Sequence, residues 1–191
     1  CLMPAIEEKP TLILSKEHQN ILKVVNALLA ESSALEKGKQ LDKGFFLQAV
    51  DFIRNYADKF HHAKEEDILF KEMCKPGVEM HCNPTDQMRY EHDLGRGFVK
   101  EMESGLNEGS KKKVAENARN YAQLLQEHIY KEDNILYPLA DSALNARAQK
   151  SMLQAFAKAE KERFAKGTKE KYLKIAKEFE KRAEKKGLRV E

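Results

Sequence analysis

The sequence predicts an all-α protein, an up-down-up-down four-helix bundle followed by two additional C-terminal helices. Three observations carry this expectation. Lys, Glu, Ala and Leu dominate the 191 residues, Trp is absent, and Thr and long β-branched runs are scarce, a balance that favours helix over strand. Apolar residues recur at alternating steps of three and four along four long segments, which is the spacing of one helix face. Proline, glycine and capping residues punctuate the chain between those segments. The length and a hydrophobic content of 41% suffice for one domain with a full core.

Each element follows in order. Residues 1–13 contain Pro4 and Pro10 and read as an irregular lead-in, after which Ser15 is placed to cap a first helix reaching Glu36. A loop at Gly38 precedes a second helix from Asp42 to Met73, which Pro76-Gly77 ends. The segment from Lys75 to Asn83 is a loop, and Pro84 suits the first position of a third helix running to Leu106. Asn107 to Ser110 turn the chain, and Ser110 caps a fourth helix that reaches Tyr137. Pro138 is expected to end or kink it, because its ring removes a hydrogen-bond donor and crowds the preceding turn. Residues 141–187 form two further helices broken near Gly167-Thr168. The expected division is thus the lead-in, a four-helix domain over 14–160 and a basic helical extension over 161–191.

Several function classes are disfavoured by composition. No segment has the roughly 18 consecutive apolar residues of a membrane helix, and the amino terminus lacks a basic stretch followed by an apolar run; a cytoplasmic protein with no membrane contact is expected. Cys1, Cys74 and Cys82 make neither paired CxxC units nor a dense disulfide framework and are read as thiols. Cys74, Met80, His81 and Cys82 cluster in one loop, but their spacing matches no strong metal motif. Residues 142–191 carry 15 Lys and Arg against 7 Glu, within a net charge of +3 for the chain. Those cations alternate with Glu along helical stretches, the pattern of a solvated face laced with i,i+4 pairs, and no recognition motif accompanies them. No nucleic-acid partner is expected.

The four apolar stripes are interrupted at six places. In the fourth helix Val114, Ala118, Tyr121, Leu125, His128, Glu132, Ile135 and Leu139 share a face, and only His128 and Glu132 are strongly polar. In the second, Phe46, Val50, Ile53, Ala57, His61, Glu65 and Ile68 are interrupted by the same two residue types. The first helix gives Leu14, His18, Ile21, Val25 and Leu28; the third gives Met88, His92, Gly95, Val99, Met102 and Leu106. One histidine on an apolar face is ordinarily a hydrogen-bonded core residue. Four of them with two glutamates are another matter, because a buried carboxylate without a partner costs several kcal/mol and a metal supplies the missing cation.

An internal repeat reinforces this. FHHAKEEDILF, residues 60–70, aligns without a gap on EHIYKEDNILY, residues 127–137, placing His61 on His128, Glu65 on Glu132 and Phe70 on Tyr137. Glu17-His18 likewise matches Glu91-His92. The alternative pair His62 and Glu66 would share a stripe with Asn55 and Lys59, so His62 is expected behind the ligands or in solvent. Imidazole with carboxylate oxygen suits iron, manganese or zinc, and ligands from four facing helices near one level are how dinuclear sites are built. With both glutamates bridging, four nitrogens and four oxygens fill eight of roughly twelve positions on two six-coordinate ions. A bridging oxo or hydroxo group takes two more, leaving about two open.

The set of one His in helix 1, His-x3-Glu in helix 2, one His in helix 3 and His-x3-Glu before an ILYP end in helix 4 resembles the hemerythrin-like, or HHE cation-binding, family over roughly residues 12–160. The resemblance implies a four-helix bundle with a non-haem di-iron centre and metal-ligand roles for His18, His61, Glu65, His92, His128 and Glu132. The ExxH signature of ferritin-like carboxylate proteins is absent at every histidine. Two departures stand out. Oxygen-carrying members present a second histidine on helix 3, where Met88 and Arg96 stand here. Their final carboxylate is an Asp five residues after its His, where this chain has Glu132. An iron pair with fewer protein ligands is expected to handle oxygen less reversibly.

The expected function is therefore a metal centre that binds or senses dioxygen, nitric oxide or peroxide. Alternatives are an enzyme reducing peroxide or nitric oxide, an iron donor for cluster repair, or a non-redox helical interaction protein. Around the ligands, Tyr121 lies two turns before His128 on the same face and Gly95 one turn from His92, where a missing side chain leaves room for a small ligand or a close helix.

Overall fold

Proline at the first turn of a helix forfeits no hydrogen bond, since that N–H has no partner in any case. Pro10 uses this: the first helix, α1, spans Pro10–Glu36 and so begins before the expected Ser15 cap. Ser15 lies inside it and donates instead to Asp133. Thr11 and Lys9 reach Asp141 at 2.7 and 2.9 Å, which ties the start of α1 to the far end of the fourth rod. The computed structural model describes residues 8–79 and 84–185, and every regular element among them is helical. Residues 1–7 of the expected lead-in, the loop residues Met80, His81, Cys82 and Asn83, and the last six residues lie outside the described part.

Asp42 caps the second rod by accepting from the Phe45 N–H at 3.0 Å. That rod is α2 (Lys43–Phe52), two π-helical stretches (Ile53–His62 and Glu65–Leu69) and a final turn, α3 (Phe70–Met73). The third rod is α4 (Thr85–Glu108), closed by Gly109 at φ 72°, a left-handed conformation that suits glycine. Ser110 caps the fourth, as its sequence position suggests. It consists of α5 (Lys111–Lys131), a π-helical stretch (Glu132–Leu136) and α6 (Tyr137–Ala143).

Pro138 therefore neither ends the rod nor acts alone. The π-helical turn just before it, in which the Tyr137 N–H bonds five residues back to Glu132, passes the chain into a new helix with Pro138 in its first turn. Two more helices follow, α7 (Ala146–Arg163) and α8 (Thr168–Glu184), with the break at Gly167 in the left-handed region.

The π-helical stretches change which residues face inward. A turn that bonds i to i+5 holds more residues than an α-turn, so a stripe drawn at 3.6 residues slips. The stripes of α1 and α4 are buried throughout as the spacing requires. In the fourth rod the expected Ile135 is 49% exposed and Leu139 only half-buried; Leu136, Tyr137 and Ala140 take their places in the core. In the second rod the inward face likewise passes from Ile68 to Leu69 and Phe70.

The apolar core forms two clusters. One holds Ile21, Val25, Phe46, Phe52, Tyr56, Val99, Met102, Ala118 and Tyr121; the other holds Leu14, Leu69, Phe70, Met88, Leu136, Tyr137 and Phe156. Along each of the four rods the buried histidines and, Glu31 apart, the buried glutamates fall between these clusters, so a polar layer is sandwiched by apolar side chains. The C-terminal helix belongs to the first cluster. Tyr172, Ile175, Ala176, Phe179 and Ala183 of α8 are buried there, Phe179 stacks on Phe45 at 4.7 Å, and Arg182 bonds Glu31 and Asp42. Among the described residues no helix is long and apolar enough to cross a membrane.

Candidate metal centre

All six side chains expected to hold metal are buried in the polar layer: His18, His61, Glu65, His92, His128 and Glu132. They assemble as two pairs of imidazoles around two carboxylates. His18 and His61 meet Nε2 to Nε2 at 2.9 Å, and His92 and His128 do the same at 3.0 Å. The ring centroids are 4.5 and 4.7 Å apart, with the rings well tilted to each other. Glu132 spans the pairs, one oxygen 3.2 Å from His18 Nε2 and the other 3.2 Å from His128 Nε2. Glu65 places a single oxygen, Oε2, 3.6 Å from His61 Nε2 and 3.5 Å from His92 Nε2. Its other oxygen accepts from the Tyr137 hydroxyl at 2.7 Å.

Why the Nε2 atoms turn inward is visible on the other side of each ring. Every one of the four Nδ1 atoms faces a carboxylate: His18 with Asp133 at 3.0 Å, His61 with Glu17 at 2.9 Å, His92 with Glu66 at 2.7 Å, and His128 with Glu91 at 2.8 Å. A carboxylate there accepts a hydrogen bond from Nδ1–H, fixes the ring and leaves the Nε2 lone pair for a cation. Glu17 and Glu91 are held in turn by Lys64 and Lys131. Lys64 is fully buried, its ammonium 3.8 Å from the Phe60 ring centroid.

This outer ring obeys the internal repeat. Lys64 and Glu66 stand where Lys131 and Asp133 stand in the second copy, and the Glu of each Glu-His pair serves the histidine of the following rod. None of Glu17, Lys64, Glu66, Glu91, Lys131, Asp133 or Tyr137 lies on a stripe drawn at α-helical spacing; Lys64 and Tyr137 are nonetheless buried. Their signal was the aligned repeat, read across all its positions.

The site fits a cation by three tests. Glu65 Oε2 and both oxygens of Glu132 are buried with no hydrogen bond, a costly state unless a positive charge faces them. Two Nε2 lone pairs at 2.9–3.0 Å repel unless a proton or metal lies between. The electrostatics show what takes that place without a metal. Burial pulls His18 down, but Asp133 and Glu132 outweigh it and raise its pKa to about 9. Burial is likewise outweighed at His128, which Glu132 and Glu91 raise to about 10. Burial lowers His61 and His92, so within each pair the proton is favoured on His18 or His128. Burial and the charge of Glu132 raise Glu65, while His128 and His18 overcome burial to hold Glu132 low. Finally, the donor atoms of His18, His61, Glu65 and Glu132 lie within 4.8 Å of one another; those of His92 and His128 share that spacing with His62, whose ring lies flat on His92 rather than sharing an Nε2 contact.

Of the two placements expected for His62, behind the ligands or in solvent, burial removes the second: it is 5% exposed, because the π-helical stretch Ile53–His62 brings two adjacent residues to the inner face. Its ring lies nearly parallel on His92, centroids 3.8 Å apart, which places it against a ligand's face and unlike the tilted pairs around each Nε2 contact. Its Nδ1 faces the Asp58 carboxylate at 3.5 Å, while the buried hydroxyl of Tyr121 has no hydrogen-bond partner. Gly95 faces Tyr121 and Leu125, at which an added Cβ would stand 3.5 and 3.6 Å from their side chains. Two of the differences between the repeats fall at the layer itself. Tyr137 opposes Phe70, and His62 opposes Ile129.

No curated protein and no solved structure matches the chain significantly. The family model of the hemerythrin HHE cation binding domain matches residues 9–140, the stretch that carries every side chain of this centre from His18 to Tyr137. On that match and on this geometry, the chain belongs to the hemerythrin HHE cation-binding family and is a cation-binding protein.

Proposed function

We propose that the protein is a non-haem di-iron protein that binds or senses dioxygen or a related small molecule such as nitric oxide or peroxide. The observation that carries this reading is the pair of Nε2 contacts at 2.9 and 3.0 Å. His18 and His61 would hold one ion and His92 and His128 the other, with the carboxylates of Glu65 and Glu132 facing both pairs. The order in which successive rods meet the two apolar clusters alternates, which supports the up-down-up-down reading of the bundle.

When bound, two irons supply a redox-active Lewis-acid pair with positions left for an exogenous ligand. The chain's own residues do the rest. The four outer carboxylates hold the imidazoles in one tautomer, and Tyr137 fixes the orientation of Glu65 through its hydroxyl. The apolar clusters above and below exclude bulk water, which strengthens every charge interaction in the layer.

The test is elemental analysis of protein expressed with iron, combined with optical spectra in air and under reducing, oxygen-free conditions. About two irons per chain and a visible band that follows oxygen or nitric oxide without consuming it are expected. Steady loss of peroxide or nitric oxide would instead make the protein an enzyme. Near-zero iron would leave a non-redox helical interaction protein.

A further inference from the structure

The metal layer is not equally closed on its two sides. Next to His18 and His61 the space is filled: the Tyr137 ring stacks on His18 at 5.5 Å, its hydroxyl is spent on Glu65, and Leu14, Leu69 and Leu136 pack around it. Next to His92 and His128 lies a cavity of about 280 Å³. Both histidines line it, together with His62, and Ile53, Val99 and Leu125 give it apolar walls. The exposed side chains of Arg54, Arg96 and Lys100 form its outer rim.

Two features mark it as a site built for a ligand. The first is size: a water claims roughly 30 Å³ of liquid, and pockets for drug-sized molecules begin at roughly 300 Å³, so this volume far exceeds what a diatomic molecule fills. The second is unsatisfied polarity. The Tyr121 hydroxyl belongs to a residue lining the cavity, is fully buried and has no hydrogen-bond partner. A buried O–H without an acceptor costs of order 1–3 kcal/mol. Burial holds the Tyr121 phenol above its usual range, so it remains a donor.

We propose that this cavity binds a small organic carboxylate, whose acid group meets the ion held by His92 and His128 and accepts from Tyr121, while its apolar body lies against Ile53, Val99 and Leu125. A carboxylate answers both demands at once, since one oxygen neutralises the ion and the other accepts the phenol proton's hydrogen bond. The proposal rests on the di-iron reading and adds to it the side of entry and the ligand class.

The experiment uses the full iron-loaded chain with two probes, azide as a small anion and benzoate as a carboxylate with an apolar body. Iron content and the visible spectrum are followed in the unaltered protein, in Tyr121→Phe and in Gly95→Leu. Benzoate is expected to shift the spectrum and to compete with azide. Tyr121→Phe should weaken benzoate about tenfold by removing one hydrogen bond to a charged group. Gly95→Leu fills the cavity and should abolish benzoate binding, with iron content and azide binding retained. Azide binding with no benzoate effect, or benzoate affinity equal in all three proteins, overturns the cavity proposal and leaves the di-iron reading standing. Absence of iron overturns both.

Discussion

In the proposed centre His61 and Glu132 are ligands, whereas His62 stacks on the face of His92. His61→Ala or Glu132→Ala should therefore lose at least one metal equivalent per chain by elemental analysis, and His62→Ala should leave occupancy nearly unchanged. Equal loss from all three would refute the assignment. Glu17→Gln and Glu91→Gln act one step further out, where removing a partner of a ligating histidine typically weakens metal binding about 10- to 100-fold; chelator competition reads that shift. The ligands were legible in the sequence because charge on an apolar stripe demands an explanation. Their carboxylate partners were not, since a glutamate at the margin of a helix face looks like any solvated one until the two copies of the repeat are compared. The metal-free protein also carries a pH signature. His18 and His128 rise from 6.5 to about 9 and about 10 on folding, so their stabilising contribution is full below about pH 6.5 and lost as pH climbs through those values. The melting temperature of metal-free protein should fall from pH 6.5 to 10, and metal loading, which replaces those protons, should abolish the fall.

The helical rods follow from spacing and punctuation, and most boundaries lie where Asp42, Gly109 and Ser110 place them. What spacing alone does not reveal is the π-helical turn, because it depends on tertiary packing around Glu65 and Glu132 rather than on local propensity. Its consequence is measurable. Ile135 and Leu136 differ by one position, yet the first is half-exposed and the second buried. Ile135→Lys should change stability by no more than about 0.5 kcal/mol, while Leu136→Ala should cost about 2–5 kcal/mol, both by denaturant unfolding. An uninterrupted α-helix would give the reverse order. The same slip explains how Pro138 is carried within the rod and how His62 joins His61 on the inner face.

At the scale of the whole molecule, the two apolar clusters supply the folding energy and the polar layer between them supplies the chemistry. The C-terminal helix shares in the first role. Although α8 is rich in Lys and Glu, Phe179 and Tyr172 bury one face of it against α1 and the second rod, so Phe179→Ala should cost about 3–5 kcal/mol in thermal or denaturant unfolding. Its interleaved charges showed a helix in the sequence, but the few large apolar residues that dock it were outweighed there by the basic run. Every part of the functional reading depends on two cations seated between the two histidine pairs. An anomalous difference map from crystals of iron-loaded protein, collected at the iron edge, addresses this directly. Two peaks are expected, one about 2.1 Å from Nε2 of both His18 and His61 and the other equally close to Nε2 of both His92 and His128. A single peak, or peaks away from those nitrogens, would refute a paired metal centre in this layer.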